Sequence, residues 1–297
     1  MSQSFKLSRR IARLRAFMAA ALVLSVAACD KSDAFNPDSS IDPNATGPTA
    51  MVGDDQTQVV EVSEATTANA NFSGGIPFGH FAQPVTTFGS RYNGTKLTVA
   101  PSYLLKELSG AKSRGGKVVL MLAGNSGYYQ DAGGRFSMTK WKARVDRFKS
   151  LKFDSYITDG TVVGHFLMDE PNDPANWNGK PVTPAEVEEM ARYSKQLWPN
   201  MATIVRVEPS YLSKTHKYLD AAWAQYLYRR GNASDYIKRV VSDAQSRGLG
   251  LVVGLNVIHG GNPQGTKMTA SEVESWGSAL LSSTYPCAFI SWQYSSS

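Results

Sequence analysis

Eight apolar runs of strand length, spaced along residues 76–294, constrain this chain more than any other feature. They read IPFGHFA (76–82), KLTVA (96–100), KVVLMLA (117–123), TVVGHFLM (161–168), ATIVRV (202–207), DAAWAQYL (220–227), LGLVVGLNV (249–257) and CAFISWQY (287–294). Several are apolar on both faces, which suits parallel strands covered by helices rather than half-exposed antiparallel ones. The segments between them carry helix punctuation. Thr183-Pro184-Ala185-Glu186 and Thr269-Ala270-Ser271-Glu272 have the pattern of capping boxes, Asn232 can cap 233–247, and Gly115 and Gly248 stand where helices should stop. Eight strands alternating with helices predict an α/β fold, the (β/α)8 or TIM barrel, as a single domain. An open doubly wound sheet is the rival, but no Gly-rich phosphate loop follows the first strand. The weakest connection is the first, where FGSRYNG (88–94) shows no helical period. A short echo, AKSRG at 111–115 and AQSRG at 244–248, falls in the third and seventh units.

The first 71 residues do not belong to that pattern. Residues 1–28 hold Lys6, Arg9, Arg10, Arg13 and Arg15 without an acid, then an apolar stretch too short for a membrane span. This is the layout of a secretory signal peptide. Val26-Ala27-Ala28-Cys29 resembles the bacterial lipobox, which implies lipidation of Cys29 and a membrane anchor in the periplasm or at the cell surface. Residues 29–71, rich in Asp, Ser, Thr, Asn, Ala and Pro, read as a flexible tether. The formal net charge of +6 divides into +5 in the signal, −7 over residues 30–71 and +8 in the domain, residues 72–297. A basic domain suits an anionic partner such as an acidic glycan. No nucleic-acid motif is present, and a monomer is expected. With Cys29 consumed by lipid, Cys287 has no partner for a disulfide and reads as a small core residue.

In a barrel of this kind the active site forms at the C-terminal ends of the strands. Those positions offer His80 and Gln83 on the first strand, and Asn125, Tyr128 and Tyr129 after the third. The fourth gives Asp169 and Glu170, the fifth Arg206 and Glu208. The sixth offers Gln225 and Tyr226, the seventh Asn256 and His259, the eighth Trp292 and Tyr294. Acids, amides and aromatics gathered at one rim suit a sugar: rings stack on pyranose C–H faces while amides and acids bond the hydroxyls. From this list His80, Asn125, Tyr129, Arg206, Tyr226, Asn256 and Trp292 are the expected substrate contacts.

The stretch GHFLMDEPND (164–173) sharpens the reading, because an apolar strand ends on two adjacent acids and a proline. Glu-Pro closing strand four, with Trp292 on strand eight, resembles the clan of retaining (β/α)8 glycoside hydrolases. The resemblance implies Glu170 as general acid/base and Trp292 as the floor of a sugar subsite. Two departures stand out: Asp169 replaces the clan's usual asparagine, and no acid lies between Asp243 and Glu272, where its strand-seven nucleophile belongs. Three repairs follow. The Asp-Glu pair resembles that of the family 20 hexosaminidases, which implies that Asp169 orients an acetamido group acting as the nucleophile. Alternatively Glu208 is the second carboxylate, its distance from Glu170 deciding between retention and inversion. Or the barrel only binds, as a catalytically silent glycan-binding lipoprotein. Because neighbouring strand residues point to opposite faces, Asp169 and Glu170 can share a pocket only if the strand slips register there. The four histidines show no metal-binding spacing and no GxSxG elbow occurs, so no metal and no cofactor are expected.

Overall fold

The computed structural model describes residues 75–294, Ser90 excepted. The signal peptide, Cys29 and the tether lie outside the described residues. Cys287 is not a free cysteine in the structure, contrary to the expectation that it has no disulfide partner. Eight strands run β1 (Phe78–Phe81), β2 (Gly94–Leu97), β3 (Lys117–Leu120), β4 (Val162–Asp169), β5 (Thr203–Arg206), β6 (Ala221–Tyr226), β7 (Gly250–Leu255) and β8 (Ala288–Ser291). They pair in parallel, in sequence order, and β8 pairs with β1 to close the barrel. Every expected strand is present. The second is displaced toward the N-terminus, because its ladder to β1 begins where Gly79 pairs with Gly94.

Strict alternation with helices holds only in part. The described helices are α1 (Leu104–Ser113), α2 (Met138–Asp146), α3 (Asp154–Thr158), α4 (Pro184–Leu197), α5 (Ala233–Gln245) and α6 (Ala270–Leu281). Between β1 and β2, and again between β5 and β6, only a single 3-10 turn is present. The second of these loops satisfies its backbone in another way. The Glu188 carboxylate of α4 accepts from the backbone N–H groups of Lys217, Tyr218 and Leu219, so donors that a helix would pair internally are met from outside.

Local signals that need no tertiary partner are obeyed. Thr183–Glu186 and Thr269–Glu272 form reciprocal capping boxes, and Asn232 accepts from the N–H groups of Ser234 and Asp235. The AKSRG and AQSRG echo is one helix stop used twice. In each, glycine has φ of 65° (Gly115 and Gly248) and the next residue donates back to the alanine carbonyl, Gly116 to Ala111 and Leu249 to Ala244. This is a Schellman-type ending with glycine in the left-handed region.

Register decides which side chains face inward. Phe81, Lys96, Val119 and Gly164 lie on one row around the barrel. The rings of Phe81, Phe166 and Trp223 meet in the interior, with centroids 4.8–6.0 Å apart. Gly254 leaves room that a side chain would remove: a Cβ there would come within 1.9 Å of the Ile290 carbonyl oxygen. Between barrel and helices, Trp141 of α2 stacks on His165, whose Nδ1 pairs with Ser194 Oγ of α4 at 2.9 Å. His165 thus belongs to the outer layer, although it lies only four residues before Asp169.

Candidate functional site

The change of face between His165 and Asp169 comes from one extra residue. In the ladder of β4 to β5, Phe166 pairs with Ile204 but the next pair is Asp169 with Arg206, three residues on β4 against two on β5. That is a bulge, and it re-aims the end of the strand. The following residue, Glu170, has φ of 40°, a left-handed conformation that a non-glycine residue adopts at a cost. Its backbone N–H still donates to the Arg206 carbonyl at 3.0 Å, and its own carbonyl accepts from the Trp177 indole at 3.1 Å. The backbone is held in this conformation from both sides. Asp169 and Glu170 consequently line the same cavity at the mouth of the barrel.

The two acids are not left bare. Arg206, on the neighbouring strand, hydrogen-bonds Asp169 through Nε, lies 3.4 Å from Glu170 through Nη2, and donates from Nη1 to Gln225. Its side chain is only 7% exposed. Burial works against its charge, but the charge and hydrogen bond of Asp169, with the charge of Glu170, more than offset this and raise its pKa. The acids differ in access. Asp169 is 29% exposed and turned to the guanidinium; Glu170 is 47% exposed and open to a substrate.

Around the pair, a cavity of 390 Å³ is lined by Asn125 and Ser126 after β3, Asn176 and Trp177 after β4, Asn256 after β7 and Trp292 after β8. Trp292 continues the barrel past β8 through a parallel bridge to Asn256, which explains why two residues beyond the formal strands remain in place. A second cavity, of 730 Å³, opens on the other side of Glu170 and Arg206, toward Glu208, Gln225 and Arg229.

The structure brings some of the expected contact residues together at the mouth and places others elsewhere. Asn125, Arg206, Asn256 and Trp292 all reach the cavity that holds Asp169 and Glu170. Tyr226 does not. It is on the helix side of β6, buried, with its hydroxyl donating to Gly231 O at 2.6 Å and its ring against Tyr236 and Trp276. The inward residue at the end of β6 is Gln225. His80 lies on the face of β1 opposite Phe81, with Nδ1 3.1 Å from Gln83 Oε1, and burial lowers its pKa. It lines neither cavity at the mouth. Tyr129 is fully buried behind the site, stacked on Trp177. Burial first, and the Asp169 charge second, raise the pKa of its hydroxyl. Glu208 lies in the second cavity, where Arg230 at 3.0 Å and Arg239 at 2.9 Å hold its carboxylate.

Asn176 and Trp177 escaped the sequence reading because they follow the strand by several residues. The available signal was Asp173-Pro174, which caps a 3-10 turn through Asp173 and folds NDPANW back over the mouth. Among the described residues, no cluster of three or more His, Cys, Asp or Glu is placed to hold a metal ion.

No protein-family model matches the chain, and no curated protein matches it. Solved structures align with it at low identity. A Thermobacillus composti GH10 xylanase shares 11% identity over 80% of this chain and 88% of that one, with a TM-score of 0.43. The glycoside hydrolase domain of PelA from Pseudomonas aeruginosa shares 13% over 73% and 94%, with a TM-score of 0.42. A GH18 chitinase from Pseudoalteromonas aurantia shares 10% over 72% and 84%, with a TM-score of 0.40. The barrel itself is established by this chain's own closed strand order.

Proposed function

We propose that the chain is a glycoside hydrolase in which Glu170 is the general acid/base. The observation that carries this reading is the bulge of β4 followed by a left-handed Glu170, which turns two consecutive carboxylates into one cavity lined by amides and indoles. A solvated strand end would need neither the register slip nor the backbone cost. Hydrolysis of a glycoside needs a proton at the leaving oxygen, and Glu170 is the more accessible acid. Within this reading Asp169 orients a substrate acetamido group, with Arg206 fixing its carboxylate. Glu208 suits a nucleophile poorly, because two guanidinium groups already hold it.

Replacing Glu170 with Gln removes the proton donor at constant shape. Turnover of an unactivated N-acetylhexosaminide should fall roughly 10²–10⁴-fold, with a smaller loss for a substrate whose leaving group is an acidic phenol. Equal activity of Glu170→Gln and the parent sinks the reading. Polysaccharide binding without hydrolysis by the parent would favour a silent glycan-binding protein. We further propose that the domain works outside the cytoplasm, anchored by lipid on Cys29. The basic-then-apolar layout of residues 1–28 and the lipobox-like Val26–Cys29 support this. Cys29→Ser should release soluble protein or leave an uncut precursor in membrane fractionation.

A further inference from the structure

We propose that a 560 Å³ pocket on the outside of the barrel, between the start of α5 and α6, holds a carboxylate-bearing polysaccharide and takes no part in its cleavage. The place of the site comes from the structure; that its ligand is a polysaccharide rests on the glycosidase reading above. Tyr228, Arg229, Ser234, Ser275 and Trp276 line the pocket, and none of them lines the cavity that holds Asp169 and Glu170. Of the five, Arg229 alone also borders the larger cavity beside Glu170. The volume falls within the roughly 300–1,000 Å³ usual for ligand pockets.

The chain just past β6 builds the pocket. β6 ends at Tyr226, and Tyr228–Arg230 form a single 3-10 turn that sets three long side chains at the surface. Arg230 pairs with Glu208 at 3.0 Å, whereas Arg229 meets no acid among the described residues. Tyr228, 43% exposed, stacks on Trp276 of α6 with ring centroids 6.0 Å apart and planes 23° from parallel. Tyr226 steadies the indole edge-on from the buried side, its own hydroxyl spent on Gly231 O. The Trp276 indole N–H has no partner among the described residues and is not closed off from solvent. The start of α5 adds no anion site, because Asn232 already accepts from the N–H groups of Ser234 and Asp235. What stays open is an aromatic platform edged by an uncommitted guanidinium, an indole donor and two hydroxyls. A pyranose fits this chemistry: its C–H face lies on the rings, its hydroxyls meet the polar edge, and a carboxylate on the sugar pairs with Arg229.

The test is native electrophoresis of full-length protein carrying Glu170→Gln, which spares the polymer, in gels containing polygalacturonate, hyaluronate or neutral glycol chitin. At least one of the two acidic polymers should retard the protein. Adding Tyr228→Ala, at an exposed position outside both mouth cavities, should weaken that retardation about fivefold or more. Arg229→Gln should act in the same direction with the acidic polymers and leave any retardation by glycol chitin unchanged. Lys152→Gln removes one charge at an exposed position between α2 and α3 and should have no effect. In the parent background, Tyr228→Ala should not alter turnover of a small chromogenic N-acetylhexosaminide. Retardation by neither acidic polymer, retardation insensitive to Tyr228, or an equal loss in Lys152→Gln overturns the site while leaving the glycosidase reading standing if the parent is active. An equal Arg229→Gln loss with glycol chitin overturns the carboxylate assignment. A fall in small-substrate turnover as large as the fall in retardation assigns Tyr228 to the mouth and overturns a separate site. Tyr228-sensitive retardation with a parent that hydrolyses no glycoside upholds the site while the glycosidase reading fails.

Discussion

Strands β4 and β6 reach the same rim, and each ends on two side chains that could serve a site, yet they deliver them differently. β6 runs beside β7 without a slip for six pairs, from Ala221–Gly250 to Tyr226–Leu255. Its last two residues therefore part company: Gln225 faces the cavity and Tyr226 faces the helices. β4 slips by one residue against β5, and its last residue and the one after it, Asp169 and Glu170, both face the cavity. Regular pairing can offer one functional group per strand at a given height, and a bulge followed by a left-handed residue can offer two. The irregular strand depends on a counter-charge and strained backbone. The regular one depends only on its ladder and on hydrogen bonds behind it.

The largest expected effect comes from removing the counter-charge. Arg206→Met leaves Asp169 beside Glu170 without the guanidinium and the buried Gln225 Oε1 without its donor, and the unfolding free energy should drop by about 2–3 kcal/mol in urea titration. A loss under about 1 kcal/mol would show that the irregular strand end does not depend on the ion pair. Next comes pH. Burial lowers the His165 pKa to about 3, against about 6.5 in the unfolded chain. Between those values the unfolded chain binds the extra proton, so stability is complete above pH 6.5 and is lost as pH falls toward 3. That loss should exceed about 2 kcal/mol and be reduced in His165→Gln; identical pH profiles of urea midpoint would contradict it.

Smaller effects separate the two strands more finely. At position 170 glycine relieves the left-handed conformation and alanine does not, so Glu170→Gly should be more stable than Glu170→Ala by about 1 kcal/mol, with both inactive. Equal stability would mean the backbone relaxes once the glutamate is gone. On β6, Tyr226→Phe removes only the bond to Gly231 O and should cost about 1 kcal/mol of stability, without changing polysaccharide binding. A Tyr226→Phe variant that folds normally but loses binding would return Tyr226 to the site.

Much of this was legible before the structure. The eight strands, the capping boxes at Thr183 and Thr269 and the glycine stops at Gly115 and Gly248 rest on propensity, period and hydrogen bonds within a few residues. Such signals are written locally, so a linear reading finds them. The need for a slip near Asp169 was also legible, because two adjacent acids cannot otherwise reach one pocket. The missing helix between β5 and β6 was not, since its substitute is the Glu188 carboxylate about thirty residues away.

The sequence by itself determined that residues 76–294 would form a parallel, helix-covered barrel with acids at the end of its fourth strand. Apolar period and turn chemistry leave few other ways to bury those runs. Only the tertiary structure decided which neighbour at each strand end faces the cavity, Gln225 and not Tyr226, and Asp169 together with Glu170. Facing depends on the register of a strand against its partner, and a single extra residue between Phe166 and Asp169 reverses it while leaving the local pattern unchanged.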